Sequence, residues 1–367
     1  MSADLPYQLA LCQVPYIGHV HAKILADHFS SAYDIFRSSR SQLERIEGIG
    51  EVRARSIKNF SDFSGAEKEI VFLEKYHIQP LYLKHKDYPQ RLLHCYDPPT
   101  LLFYKGNADL NSSKVVAVVG TRSASAYGKL AAEKLVKDLA AWNVLIVSGL
   151  AYGIDAVAHK SALKNNLPTI GVVGHGLDTI YPAENTALAK EMLKNGGLLT
   201  EFRSNTKPDK FHFPSRNRVV AGISDCIIIV ESGIKGGSMI TAEIAVGYSR
   251  DVFAVPGRIT DPKSAGCNSL VRNNKAVLLT EASQLADLMG WADAGPIAAN
   301  PQKELFIDLS DNEKKIIGLM EEKGAISIDE INFLSGIGAG AVAAAVLQLE
   351  MHHLVQCLPG KMYRMMN

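Results

Sequence analysis

The segment RSNTKPDKFHFPSRNR, residues 203–218, concentrates the chain's most suggestive chemistry. Arg203, Lys207, Lys210, Arg216 and Arg218 stand there against one carboxylate, Asp209, with Phe211, His212 and Phe213 interleaved. Cations that pair with phosphates and rings that stack on bases are what a single strand of nucleic acid requires. The competing reading is that the aromatic residues anchor a loop and the charges are solvated. VGTRSASAYG (119–128) offers Arg122 among the small hydroxyls Thr121, Ser123 and Ser125. A fixed cation before a helix start suits a phosphodiester. Its spacing lacks the glycines of a dinucleotide fingerprint. In SGLAYGIDAVAHKSAL (148–163), Ser148 and Gly149 are small enough for the backbone to approach a ligand. In ESGIKGGSMITAEIAVG (231–247), Gly236 and Gly237 precede Ser238 and Thr241, the composition of an anion nest. The stretch 257–276 adds Arg258, Lys263, Arg272 and Lys275.

Other polar residues have plainer readings. Asp155 either caps its helix or meets His159 one turn later. His175 and Asp178 sit on a glycine-rich loop with no third ligand at metal spacing. No G-x-S-x-G, Walker A or H-E-x-x-H motif occurs. The sequence therefore predicts no catalytic constellation, no metal and no cofactor.

These residues fall at the ends of short β-branched runs. The runs are 101–106, 114–120, 143–149, 168–174, 197–201, 226–232, 251–257 and 276–280. Helical stretches near 125–141, 154–165, 184–195, 216–222 and 238–249 separate them. Such alternation predicts an α/β fold with a Rossmann-like, mostly parallel sheet, whose ligands gather at the carboxyl ends of its strands. The core so defined runs over 76–290, its first part (76–112) read as a connection. Residues 1–75 read as a helical domain. I-x-G-I-G at 46–50 marks a helix–hairpin–helix, and VPYIGHVHAKIL (14–25) is an earlier copy with Tyr16 in the first glycine position. Its amides either meet a DNA phosphate or simply pack. Residues 291–308 read as a linker and 309–367 as a winged helix. The third helix candidate of that domain, AGAVAAAVLQLE, has no Lys or Arg, which speaks against a DNA reader there.

Composition sets the outer bounds. The 367 residues are 47 % apolar and 21 % charged, ordinary for a globular chain of two to three domains. With 39 basic and 38 acidic residues the net charge is +1, so any basic site is local. Five scattered cysteines without C-x-x-C spacing suggest neither disulfides nor zinc. The first residues carry no basic run before an apolar one and no apolar run approaches ~18 residues, so neither a leader nor a membrane span is expected, and the scattered cysteines fit a reducing cytoplasm.

Residues 85–290 resemble the DprA/Smf family. VGTRSASAYG, SGLAYGIDAVAHKSAL, VVGHGLDTIYPAEN, FPSRNRVVAGIS, GGSMITAEIA, VFAVPG and SAGCNSLVRNNKA match its blocks in order. The flanks agree: a helical, sterile-alpha-motif-like or hairpin domain in front and a winged helix behind. The resemblance implies a single-stranded DNA binder that protects incoming DNA in natural transformation, loads RecA onto it, and forms a homodimer through the Rossmann-like core. It places Arg122 on the family's G-[ST]-R arginine, Lys210 and Phe213 on its pocket lysine and phenylalanine, and Arg216 and Arg218 beside them. Asn273-Asn274-Lys275-Ala276 stands where the family usually shows a glycine before the alanine. Two alternatives remain. One is a Rossmann-like nucleotide hydrolase akin to the lysine-decarboxylase-like family, which IKGGSMITAE matches only in part. The other is a RecA adaptor without its own grip on DNA.

Overall fold

A computed structural model describes residues 3–291, 309–352, 354–358 and 362–365. Nine strands form the main sheet: β1 (Gln79–Tyr82), β2 (Leu101–Gly106), β3 (Val115–Gly120), β4 (Leu145–Ser148), β5 (Thr169–Val172), β6 (Gly196–Thr200), β7 (Cys226–Val230), β8 (Asp251–Ala254) and β9 (Val277–Leu278). Their spatial order is β1-β2-β6-β5-β4-β3-β7-β8-β9. From β6 to β9 every pairing is parallel, while β1 and β2 join antiparallel at one edge. β1 lies in the stretch that the sequence reads as a connection; four residues with Pro80 inside give too little alternation to mark a strand.

The alternation along β3 shows why both faces must be covered. Val115, Ala117 and Val119 join one apolar cluster with Val219, Val220, Ala242 and Ala245, from the helices His212–Ile223 and Gly237–Gly247. Val116 and Val118 join another with Ala132, Leu135, Ile154 and Ala158, from Ala126–Asp138 and Ile154–Lys164. A strand apolar on both faces belongs inside a parallel sheet. After β3 the chain winds outward through β4, β5 and β6, then returns to place β7 on the other side of β3. The strand order thus reverses at β3 and β7, and the crevice beyond their carboxyl ends is where such sheets hold ligands.

Contacts divide the chain into two units, 1–294 and 295–367. In the first, the N-terminal helices share their apolar core with the sheet: Leu25, Ile49 and Ile57 belong to the cluster that contains β3. Polar ties fix the same junction. Lys23 Nζ donates to Leu93 O at 2.7 Å, Arg203 Nη2 to Gly65 O at 2.5 Å, and Ser204 N to Glu69 Oε1 at 3.0 Å. Both expected hairpin turns are present. Gly48 has φ 86° and Tyr16, in the matching position, φ 66°.

In the second unit the helices Asp311–Lys323, Ile328–Ser335 and Ala339–Met351 enclose Ile316, Met320, Ile331, Val342, Val346 and Leu349. Capping boxes at Ser310/Glu313 and Ser327/Glu330 start the first two helices. β10 (Ile326–Ser327), β11 (Val355–Leu358) and β12 (Met362–Met365) pair antiparallel in the order β10-β12-β11. This is a winged-helix arrangement. The expected linker lies outside the described residues except for Trp291. Among the described residues no single helix is long and apolar enough to cross a membrane.

Candidate nucleic-acid interface

Three strand-end loops meet at the switch point. The loop after β3 brings Thr121 and Arg122, the loop after β4 brings Ala151, and the loop after β7 brings Ser232 to Gly237. With Asp155, Phe213 and Arg216 they enclose a cavity of about 220 Å³. A smaller recess of about 70 Å³ adjoins it and shares Arg122, Ala151, Phe213 and Arg216. Its other walls are mostly apolar: Leu150, Val172, Val173, Tyr181 and Pro182, with Tyr152 and His175.

Two cations approach the Phe213 ring. The Arg122 guanidinium carbon lies 4.8 Å from the ring centroid and that of Arg216 lies 6.0 Å away. Both distances are within cation–π range. Arg122 is exposed and makes no ion pair among the described residues. Arg216 is only 7 % exposed, and its Nη1 stands 3.7 Å from Asp155 Oδ2. Its Nε has no hydrogen-bond partner. Burial presses the Arg216 pKa downward and Asp155 opposes that shift. One carboxylate at this separation leaves most of the guanidinium's donors available to an anion.

The far wall is the start of the helix Gly237–Gly247, capped by Gly236, and its first amides lack intrahelical acceptors. Ser238 Oγ lies 2.8 Å from Ser232 Oγ, and Thr241 Oγ1 donates to Gly237 O at 3.0 Å. A helix N-terminus, two arginines and Lys235 against the single carboxylate of Asp155 make the cavity lining predominantly cationic, which favours an anion.

Glu231 holds the Arg122 loop. Thr121 N donates to Glu231 O at 2.7 Å and Ser125 N to Glu231 Oε2 at 2.8 Å, so both ends of the loop are tied to one residue. Ser125 also caps the following helix through Gly128 N. Gly153, at φ 76°, packs on the Thr121 and Arg122 backbone, where a Cβ would collide.

The expected site residues therefore divide. Arg122, Phe213, Arg216, Gly236 and Gly237 line the cavity. Ser148 is buried and donates to Val118 O at 2.6 Å. Gly149 underlies the wall: a Cβ there would run into the Arg216 guanidinium and the Asp155 carboxylate. Lys210 is exposed on the preceding loop, its Nζ 5.0 Å from the Phe211 ring. Arg218 faces away, paired with Glu201 Oε2 and donating to Asp97 O. Arg203 is committed to Gly65 and Glu69 of the N-terminal helices.

The expected Asp155–His159 contact does not form. Asp155 turns to Arg216 and to Ala151 N, while His159 Nε2 donates to Gly149 O at 2.6 Å and its Nδ1 lies 2.7 Å from Thr169 Oγ1. Burial lowers the His159 pKa below its ordinary value. His175 is likewise buried, and its Nδ1 donates to Gly176 O at 2.9 Å. Among the described residues no group of three or more His, Cys, Asp or Glu could hold a metal ion. Sequence reasoning missed Glu231 and the pairing of Asp155 with Arg216, since Ser125 and Arg216 are remote from them in the chain.

Comparisons with known proteins assign the family and the fold. The model of the family described as DNA recombination-mediator protein A matches residues 79–290. A helix-hairpin-helix motif matches 9–70 and a DprA winged helix domain 299–361. Protein Smf of Synechocystis is 32 % identical over 99 % of this chain and 99 % of its own length. DNA processing protein DprA of Streptococcus pneumoniae is 40 % identical over 70 % of this chain and 97 % of its own. The X-ray structure of the pneumococcal protein superposes with a TM-score of 0.66 at 34 % identity, covering 77 % of this chain and 97 % of that one. A structure of Helicobacter pylori DNA processing protein A, solved for its single-stranded DNA binding mode, gives 0.53 at 31 % identity, covering 58 % and 96 %. A family match over more than half the chain, with 32 % identity to Smf along nearly its whole length, makes this chain a member of the DprA/Smf family, the DNA recombination-mediator protein A family.

Proposed function

We propose that this protein binds single-stranded DNA at the crevice beyond β3 and β7, protects incoming strands during natural transformation, and delivers them to RecA. The observation that carries the reading is Phe213 with the guanidinium groups of Arg122 and Arg216 near its ring, all three lining one predominantly cationic cavity. Phosphates meet the guanidinium groups and the helix start, and a base meets Phe213 or the apolar recess beside it. The single-stranded DNA binding mode described for the H. pylori relative supports the same assignment. Lys210, exposed on the loop leading into Phe213, adds a phosphate contact at the rim. The protein acts by binding rather than by turnover. The grip itself argues against a pure adaptor.

Duplex DNA cannot offer a free base to the recess. Anisotropy with one labelled oligonucleotide, single-stranded and annealed, should show the single strand binding at least tenfold more tightly. Equal or tighter binding of the duplex would refute the reading.

The same proposal includes a homodimer built on the Rossmann-like core. β9 is an edge strand whose Val277 and Leu278 are 43 % and 41 % exposed. An apolar unpaired edge invites a partner strand. Two cavities on one particle would raise the avidity for a long strand. At micromolar concentration the full chain should sediment as a dimer and Leu278→Arg as a monomer. A dimer undisturbed by Leu278→Arg would place the interface elsewhere.

A further inference from the structure

The loop 257–264 lies outside the pocket around Phe213, next to Lys235 on the cavity wall, and continues its chemistry. The loop is built rather than slack. Asn268 clamps its base, donating to Gly257 O at 3.1 Å and accepting from Gly257 N at 3.3 Å. Asp261 folds its tip inward, accepting from Lys263 N at 2.9 Å and from Ser264 Oγ at 3.2 Å. Lys263 Nζ then donates to Ser123 O at 2.6 Å, which moors the loop alongside the Arg122 loop. An ammonium carries three donors, so two remain. On the other side the Pro262 carbonyl lies against Gly233, next to Ile234 and Lys235.

Two isoleucines on this surface point into water. Ile259 is 95 % exposed and Ile234 65 %. Neither contributes to a core, and each is flanked by a cation, Arg258 and Lys235. The loop's single carboxylate is turned onto its own backbone. Aliphatic faces among cations, without a competing outward carboxylate and beside the arginine-lined cavity, fit a nucleotide better than a solvated surface.

We propose that loop 257–264, with Ile234 and Lys235, forms a second nucleotide subsite. It takes the part of the strand that leaves the cavity, its phosphates on Arg258, Lys235 and Lys263 and its bases against Ile259 and Ile234. This inference rests on the single-strand reading above and extends its footprint. The subsite is tolerant of sequence, because it offers apolar contact and charge but no donor–acceptor pattern to a base edge.

The experiment uses the full chain and labelled oligonucleotides of four and twelve nucleotides. Arg258→Ala and Ile259→Ser are the variants, both at exposed positions outside the cavity. Each should bind the four-mer within about twofold of the parent. Arg258→Ala should weaken the twelve-mer about fivefold and reduce its log–log salt slope by ~0.7, one phosphate contact. Ile259→Ser should weaken the twelve-mer about threefold with the slope unchanged, since no charge is removed. If both variants match the parent on the twelve-mer, the subsite does not exist. If they lose the four-mer as much as the twelve-mer, the loop acts only through its mooring to the Arg122 loop, and the proposal falls as well. Arg122→Ala is the separate control: indifference of both oligonucleotides to it would overturn the cavity reading and leave the loop result to be judged alone.

Discussion

Arg122→Ala should weaken single-stranded DNA binding by about ten- to a hundredfold at low salt and flatten the log–log salt slope by ~0.7, the signature of one lost phosphate contact. Folding should not change. Arg122 is exposed, and the loop that carries it is fixed from its two ends by Glu231 rather than by the arginine itself. Phe213→Ala should also cost ~1–3 kcal/mol of binding, as removal of a stacking platform does, with the slope unchanged. The two variants thus separate charge from stacking on neighbouring groups. Because Phe213 holds the Arg122 guanidinium at 4.8 Å, their effects should be less than additive. Lys210→Ala should give a smaller loss with a similar change in slope, since its side chain is exposed to solvent on the loop before Phe213. Arg216→Ala is not a clean test: it removes a cavity wall and strands Asp155 in a buried site. Titration of labelled oligonucleotide between low and moderate salt measures all of these. If Arg122→Ala and Lys210→Ala both bind as tightly as the parent at every salt concentration, the strand binds elsewhere, and the hairpin at Gly48–Gly50 becomes the next candidate.

The parallel core is legible because strands buried on both faces are β-branched almost throughout, and CIIIV and VVAVVG cannot be mistaken for amphipathic helix. The loops after them are legible for the same reason: once strand ends are known, the ligand edge follows. The division of labour inside F-P-S-R-N-R is not. Composition treats Arg216 and Arg218 as one basic cluster, but on the helix His212–Ile223 residues two apart point to opposite sides. Arg216 enters the cavity and Arg218 enters an ion network behind it. Helical spacing was the available signal for that split. No local signal exists for Asp155 choosing Arg216 over His159, because the choice depends on two helices brought together by the sheet. Backbone conformation hides in a similar way. Asn274 stands at φ 54° and Tyr16 at φ 66°, so both take the left-handed geometry for which a glycine would be sought. Asparagine does this at modest cost. Tyrosine pays more, and the copy of the hairpin with Gly48 is accordingly the easier one to recognise.

Arg218 should prove a stability residue rather than a DNA ligand. It is 8 % exposed and pairs with Glu201, which also lies 3.2 Å from His19 Nε2 on the second N-terminal helix. It donates to the Asp97 carbonyl, whose carboxylate accepts from Tyr248 Oη. One guanidinium therefore joins the central helix, the end of β6, the 97–99 turn and, through Glu201, the N-terminal helices. Breaking such a pair by removing one partner costs ~3–5 kcal/mol, because the other charge stays buried and uncompensated. Arg218→Ala should lower the unfolding free energy by that amount, read in urea as a lower midpoint at unchanged m. Arg218→Met combined with Glu201→Gln should recover much of it, since the double change removes both charges and keeps volume. Below the unfolding transition the Arg218→Ala chain should bind single-stranded DNA as the parent does, with the same salt slope. The opposite outcome, parental stability with weakened binding and a slope flatter by one contact, would move Arg218 into the interface and require the helix His212–Ile223 to turn when the strand binds.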